Sequence, residues 1–267
     1  MSLYKNRIVV KVGTSTLTND MGKNNLRAFD NLVRVLSDVQ NLGYEIILVS
    51  SGAIAIGANK LNLKKRPESM RMKQAAAAVG QCSIMYFYDK FFSEFDKTTA
   101  QILLNAEDIE NEEKKENLTN TFNALLEMGI IPVVNENDSV SYTEIESEER
   151  LFGDNDMLSA VVAILCRAKT LIILSDIDGF YDRDPRLYAN AKLIERVEVI
   201  DENIQSAAGG VGSRRGTGGM YTKLKAAKLC TAQGIDTIVT NGKNPDSIYD
   251  IINGQSVGTL FCGKKDI

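Results

Sequence analysis

RIVVKVGTST, Arg7–Thr16, sets a strand of mostly β-branched residues against a glycine and a run of hydroxyl side chains. An apolar run of this length reads as a buried strand, and the glycine after it lets a ligand approach the backbone closely. The same grammar repeats downstream. Apolar residues at Leu26, Phe29, Leu32, Val33, Leu36 and Val39 predict a helix stopped by Gly43, and EIILVS, Glu45–Ser50, predicts a second strand. A long helical region follows Pro67 through Phe92, and TAQILL and IIPVVN predict strands around a helix near Leu118–Met128. A helix from about Asp156, the strand TLIILSD, a helix after Gly219, the strand DTIVT and a last strand near VGTLF complete the pattern. Strands alternating with helices predict an α/β fold, a three-layer sandwich whose mainly parallel central sheet is covered on both faces. No internal repeat and no Pro- or Ser-rich linker interrupts it, so one domain over residues 1–267 is expected.

Composition narrows the chemistry. With 44% hydrophobic residues the 267-residue chain can bury a large core, and its net charge of -4 gives no global attraction to nucleic acid or to a membrane. No apolar run reaches the roughly 18 to 20 residues needed to cross a bilayer, and the N-terminus carries no export signal. The four cysteines, Cys82, Cys166, Cys230 and Cys262, lack paired spacing and read as buried, reduced thiols of a cytoplasmic protein. There is no histidine. That removes Ser-His-Asp and Cys-His catalysis and histidine metal sites together, so any chemistry rests on Lys, Arg, carboxylates, hydroxyls, amides and backbone. ENEEKKEN, Glu110–Asn117, reads as a solvated helix start, and TEIESEER, Thr143–Arg150, as a polar excursion near the sheet rim.

In open α/β sheets, ligands bind beyond the carboxyl ends of the strands. Those positions here are Lys11 before Gly13, Ser50, Ser51 and Gly52 of SSGAIAIG, Asn135, Asn137 and Asp138 of NENDS, and Ser175 and Asp176. Each has a plain alternative: a lysine snorkelling to solvent, a capped strand-to-helix turn, an Asx-rich turn. FGDNDMLSA, Phe152–Ala160, is harder to explain by helix capping, because a cap needs one polar residue and Asp154, Asn155 and Asp156 stand in a row. They suit an ammonium group, a lysine to be ordered, or a metal. GTGGMYTK, Gly216–Lys223, fits neither G-x-x-x-x-G-K-[ST] nor G-x-G-x-x-G. Its small residues nevertheless lead into a helix whose first turn carries Thr222 and Lys223, which suits phosphate as well as it suits a mobile connector.

Taken in order, VVKVGTS, SSGAIAIG, VVNENDSV, GDNDMLSA, SDIDGFY, GTGGMYTKL and SVGTLF resemble the amino acid kinase family over nearly the whole chain, about Arg7 to Phe261. The resemblance implies the amino acid kinase fold and ATP with Mg²⁺ as cofactors. It implies phosphorylation of the γ-carboxylate of L-glutamate to L-glutamyl 5-phosphate, the first step of proline biosynthesis. By position, Lys11 and Lys223 would flank the transferring phosphoryl group, Asp156 would orient them, and Asp154 would lie beside the substrate. Ser51, Asp138 and Asn155 would bind glutamate. Lys11, Ser175 and Asp176 would meet the nucleotide, with Thr217, Gly218, Gly219, Met220, Tyr221, Thr222 and Lys223 forming its loop. Metal ligands are not readable. The resemblance also implies feedback inhibition by proline, a homo-oligomer and hand-off to glutamyl phosphate reductase. Many relatives carry an additional C-terminal PUA domain, which is not expected within these 267 residues.

A carboxylate acceptor agrees with the missing histidine. A γ-carboxyl with an ordinary pKa of about 4.3 is already ionised at neutral pH and needs no general base. Within the same fold the competing acceptors are N-acetylglutamate, carbamate and a nucleoside monophosphate; the Asp154–Asn155–Asp156 triplet suits a free ammonium better. A non-catalytic nucleotide or amino-acid sensor is the rival from another class, against which both lysines and Asp156 argue. The missing glycine fingerprint disfavours a dinucleotide-dependent dehydrogenase.

Overall fold

The computed structural model describes residues 6–19, 23–65, 67–140, 154–207 and 218–264. In chain order the elements begin with β1 (Arg7–Val12), α1 (Thr14–Leu17), α2 (Leu26–Asn41), β2 (Glu45–Ser50), α3 (Ala53–Lys60) and α4 (Met70–Ser93). Next come β3 (Thr99–Leu104), α5 (Ala106–Glu110), α6 (Glu112–Glu127), β4 (Ile131–Glu136), α7 (Asn155–Leu165) and β5 (Thr170–Ser175). The last are β6 (Arg196–Val197), α8 (Glu202–Ala207), α9 (Gly218–Ala232), β7 (Asp236–Asn241), α10 (Ser247–Ile252) and β8 (Thr259–Phe261). One sheet takes all these strands in the order β3-β4-β2-β1-β5-β7-β8-β6. Every described pairing is parallel except β7 with β8.

The strands are apolar without alternation because both faces are covered. Side chains still divide by the two-residue period. Val9, Ile47, Val49, Leu171 and Ile173 join the core under α6, α7 and α9, whereas Val10, Ile46, Leu48, Ile172 and Leu174 join the core under α2, α3 and α4. Lys11 shares the parity of Val9. Its side chain is therefore delivered to the face that carries α7 and α9.

On the other face α3 and α4 touch backbone to backbone. A Cβ at Gly57 would stand 1.7 Å from Ala76 O, and one at Gly80 would stand 1.8 Å from Ala53 O. That crossing sets the turn SSGAIAIG against the long helix. Tyr88 and Phe92 are fully buried in it, while Tyr86 is exposed, so the aromatic run of α4 is mainly core.

Several expectations shift in detail. Of the four cysteines, Cys166 and Cys230 are buried, Cys262 is half-buried, and Cys82 is exposed on α4. SSGAIAIG becomes a two-turn helix, because Gly52 at φ 103 turns the chain straight into α3. Asn135 is a buried strand residue of β4 rather than part of a turn. The Glu110–Asn117 stretch is largely exposed at the start of α6, where the Asn111 side chain accepts from Lys114 N at 3.0 Å. α1, α5, α8, α10 and the two-residue β6 carry no signal that periodicity would find. TEIESEER lies outside the described residues, as does Thr217.

Candidate active site

The carboxyl ends of β1, β2, β4 and β5 meet the N-termini of α7 and α9, and the sequence-predicted residues gather there. α7 starts where Asp154 Oδ1 accepts from Asp156 N at 3.0 Å and Met157 N at 3.1 Å. Asp154 is therefore a true N-cap. The cap fixes the next two side chains on opposite errands, Asn155 toward β2 and β4 and Asp156 toward β1 and α9.

Asp156 is buried and holds two lysines. Lys11 Nζ stands 2.5 Å from its Oδ1, and Lys223 Nζ stands 3.1 Å from its Oδ2. Thr222 Oγ1 donates to the same Oδ2 at 3.0 Å, and Lys223 Nζ also reaches Gly219 O at 3.0 Å. Lys11 and Lys223 are only 7% and 8% exposed, so these are ordered cations rather than snorkelling ones. Burial pushes the Asp156 carboxyl up, but the two ammonium groups outweigh it and hold the group below the usual carboxylate range. One carboxylate against two ammoniums leaves a net positive charge, fixed in advance, at the floor of the crevice. Gly13 borders this centre: a Cβ there would lie 3.8 Å from Lys11 Nζ.

Beside it opens a cavity of about 540 Å³ lined by Ser51, Gly52, Asn135, Asp138, Asp154 and Asn155, among others. Asn155 Nδ2 lies 2.9 Å from each of Ser50 O, Ser51 Oγ and Asn135 Oδ1, three acceptors that share its two hydrogens. Burial, reinforced by Glu136, raises the Asp138 carboxyl to about 6. No lysine or arginine among the described residues offsets that rise, as a ligand ammonium would. Lys64 and Lys65 line the opposite lip, and Thr14 lines the β1 side. The sequence reading missed all three, although LKKRP is a basic run directly after α3.

On the far side of the lysine pair, Ser175 ends β5 and Asp176 follows it, with Ser175 Oγ donating to Asp176 Oδ1 at 3.2 Å. Asn241 ends the neighbouring β7 in register with Ser175. It too went unread, though a strand end beside Ser175 was the signal. Gly218 to Lys223 form the first turns of α9, whose N-terminal amides favour anions. Thus Lys11, Asp156, Thr222 and Lys223 meet through their side chains, while Ser51, Asp138, Asp154 and Asn155 line the cavity beside them.

No group of three potential metal ligands occurs among the described residues. Isolated carboxylates such as Asp154 and Asp176 nevertheless fit Mg²⁺ arriving on a nucleotide, because that ion takes most of its ligands from phosphate oxygens and water.

The model of the amino acid kinase family matches residues 6–241. A glutamate 5-kinase of Clostridium perfringens is 56% identical over 97% of this chain and 96% of its own length. A glutamate 5-kinase of Listeria monocytogenes is 49% identical over 97% and 94%. Among solved structures, a carbamate kinase from Giardia lamblia bound to AMP-PNP superposes with a TM-score of 0.69 at 14% identity, covering 97% of this chain and 99% of that one. A UMP kinase from Bacillus anthracis gives 0.65 at 14% identity, with 98% of each chain covered. At such identities the superpositions speak for the fold.

Proposed function

Because this chain belongs to the amino acid kinase family, we propose that it transfers the γ-phosphoryl group of ATP to the γ-carboxylate of L-glutamate, giving L-glutamyl 5-phosphate for proline biosynthesis. The observation that carries this reading is the buried Lys11–Asp156–Lys223 cluster standing between a polar-lined cavity of about 540 Å³ and the α9 N-terminus.

The chemistry asks little of the protein. A γ-carboxylate oxygen forms a bond to the γ-phosphorus while the bond from that phosphorus to the bridging oxygen breaks, and ADP leaves with the electron pair. No proton is moved. Asp154 and Asp176 would help to hold Mg²⁺ brought with the nucleotide, and the ion would supply charge neutralisation. Lys11 and Lys223 supply the rest as fixed charges that need no reorganisation, and Asp156 holds both in line. Asp138 and Asn155 serve the acceptor's ammonium. Ser51 Oγ stands 2.9 Å from Asn155 Nδ2, an amide nitrogen to which it cannot donate, so its hydrogen is available to an acceptor oxygen. Ser175, Asp176 and the start of α9 serve the nucleotide, and Thr217, outside the described residues, is assigned to the same role.

Residues 1–267 act as one kinase domain in this account, supported by a single sheet with strands from Arg7 to Phe261. No described helix is long and apolar enough to cross a membrane, and a cytoplasmic location suits the free cysteines. Proline would compete for the glutamate side, offering a carboxylate and an ammonium to Asp138, Asp154 and Asn155. Assembly as a homo-oligomer and transfer of product to the reductase belong to the same proposal.

An acceptor screen tests it. ADP release from MgATP should require glutamate and be weak with N-acetylglutamate, aspartate, carbamate or UMP. Preference for any of those acceptors, or turnover independent of all of them, overturns the assignment. Proline should raise the KM for glutamate without lowering kcat.

A further inference from the structure

We propose that Gln81, on α4, is a positioning residue that orders a chain of three amides so that Asn155 turns its carbonyl oxygen toward the acceptor's ammonium. The inference rests on the glutamate reading above and concerns a residue that this reading does not use.

The order is set by elementary donor and acceptor rules. Ser50 O is a backbone carbonyl and can only accept, so the Asn155 amide must point its nitrogen there, at 2.9 Å. The same nitrogen faces Asn135 at 2.9 Å, so Asn135 must meet it with Oδ1. Asn135 Nδ2 is thereby turned away from the crevice, into the space above α4. It needs an acceptor there, and Gln81 Oε1 meets it at 2.9 Å. Asn135 is 3% exposed and Gln81 8%, so this amide contact is buried. With its nitrogen committed to β2 and β4, Asn155 has Oδ1 left to offer a ligand in the cavity that the residue lines. An ammonium needs an acceptor at that spot; a turned amide would offer it two hydrogens instead.

The other end of the chain shows what this arrangement costs. Gln81 Nε2 is buried and has no hydrogen-bond partner among the described residues. A side chain chosen for stability alone would not leave a donor stranded next to Gly80, at the closest point of the α3–α4 crossing. The glutamine is explained by its oxygen.

The test compares Gln81→Met, which keeps the volume and deletes the acceptor, with Gln81→Glu, which keeps an acceptor facing Asn135. Gln81→Met exchanges one buried orphan donor for another, so its melting temperature should stay close to that of the parent chain. Its KM for glutamate should nevertheless rise about tenfold or more, with the KM for ATP and kcat within about twofold. Gln81→Glu should recover most of the glutamate KM. In an Asn155→Ala background, Gln81→Met should add little, because both changes act on one contact.

An unchanged glutamate KM in Gln81→Met overturns the proposal. So does a rise in both KM values with a matching fall in melting temperature, which marks a merely structural residue. If Gln81→Met does not fold, Gln81→Glu decides: a glutamate KM raised as far as in Asn155→Ala contradicts the role of the oxygen. Failure of the parent chain to phosphorylate glutamate is a different result, which overturns the reaction and not the order of the amides.

Discussion

Lys223 Nζ lies 3.1 Å from Asp156 Oδ2, tying the first turn of α9 to the first turn of α7 across the floor of the crevice. Because Lys11 takes the other oxygen of the same carboxylate, the two ammonium groups are held as a pair. If both neutralise charge on one phosphoryl group, Lys223→Ala should lower kcat by roughly 10²-fold or more, the scale of losing one electrostatic stabiliser. The glutamate KM should move little. Lys11→Ala should behave alike, and the double variant should lose less than the product of the two. Lys225 is the control. It is exposed, with Nζ 4.6 Å from the Tyr221 ring centroid, and Lys225→Ala should change kcat by less than about twofold. Equal, mild losses at Lys223 and Lys225 would reduce the loop to a connector.

Asp138 gives the account a pH dependence. Burial and Glu136 raise its carboxyl to about 6, so the charge that would meet an ammonium is lost as pH falls through that value. In the free enzyme kcat/KM for glutamate should therefore drop below about pH 6, and Asp138→Asn should be poorer but flat over the same range. Stability should move oppositely. A raised acid pKa means the folded chain holds the proton more tightly, so the ionised group costs stability fully above about pH 6 and not at all below about pH 4, where the unfolded chain is protonated too. Thermal melts should show Asp138→Asn more stable than the parent chain at pH 8 and indistinguishable from it near pH 4. A melting difference that is constant with pH would contradict the assignment of that pKa.

Gly80→Ala tests the architecture. The added methyl would meet Ala53 O at 1.8 Å, a backbone atom that cannot move aside alone. α3 would have to leave α4, carrying Ser51 and Gly52 with it. Loss of soluble protein, or a melting temperature lowered by more than about 10 °C, is expected, against a few degrees for an ordinary substitution. Retention of both stability and glutamate KM would mean that the crossing is looser than described.

Much of this was legible from residue order, and the reasons differ by element. The alternation of RIVVKV, EIILVS, IIPVVN and TLIILSD with helical stretches specified a parallel sheet because each strand is buried on both faces and shows it in composition. Lys11 was conspicuous for the same reason, as a charge inside an apolar run. Parity in β1 even assigns its face. Gln81 was illegible because a polar residue in a long helix looks like any surface position until the α3–α4 crossing buries it. Lys64 and Lys65 were missed because a basic run after a helix ordinarily faces solvent, and only the closure of SSGAIAIG into α3 folds it over the cavity. Asn241 needed the strand order, since β7 lies beside β5 and not beside β6, the strand before it in the chain.

The central claim is that the accepting atom is a side-chain carboxylate oxygen of free glutamate. Hydroxylamine trapping tests it most directly. With MgATP and L-glutamate the enzyme should form γ-glutamyl hydroxamate in step with ADP, while omission of glutamate should abolish both. Release of ADP with inorganic phosphate and no hydroxamate, or formation of the α-hydroxamate, would contradict it.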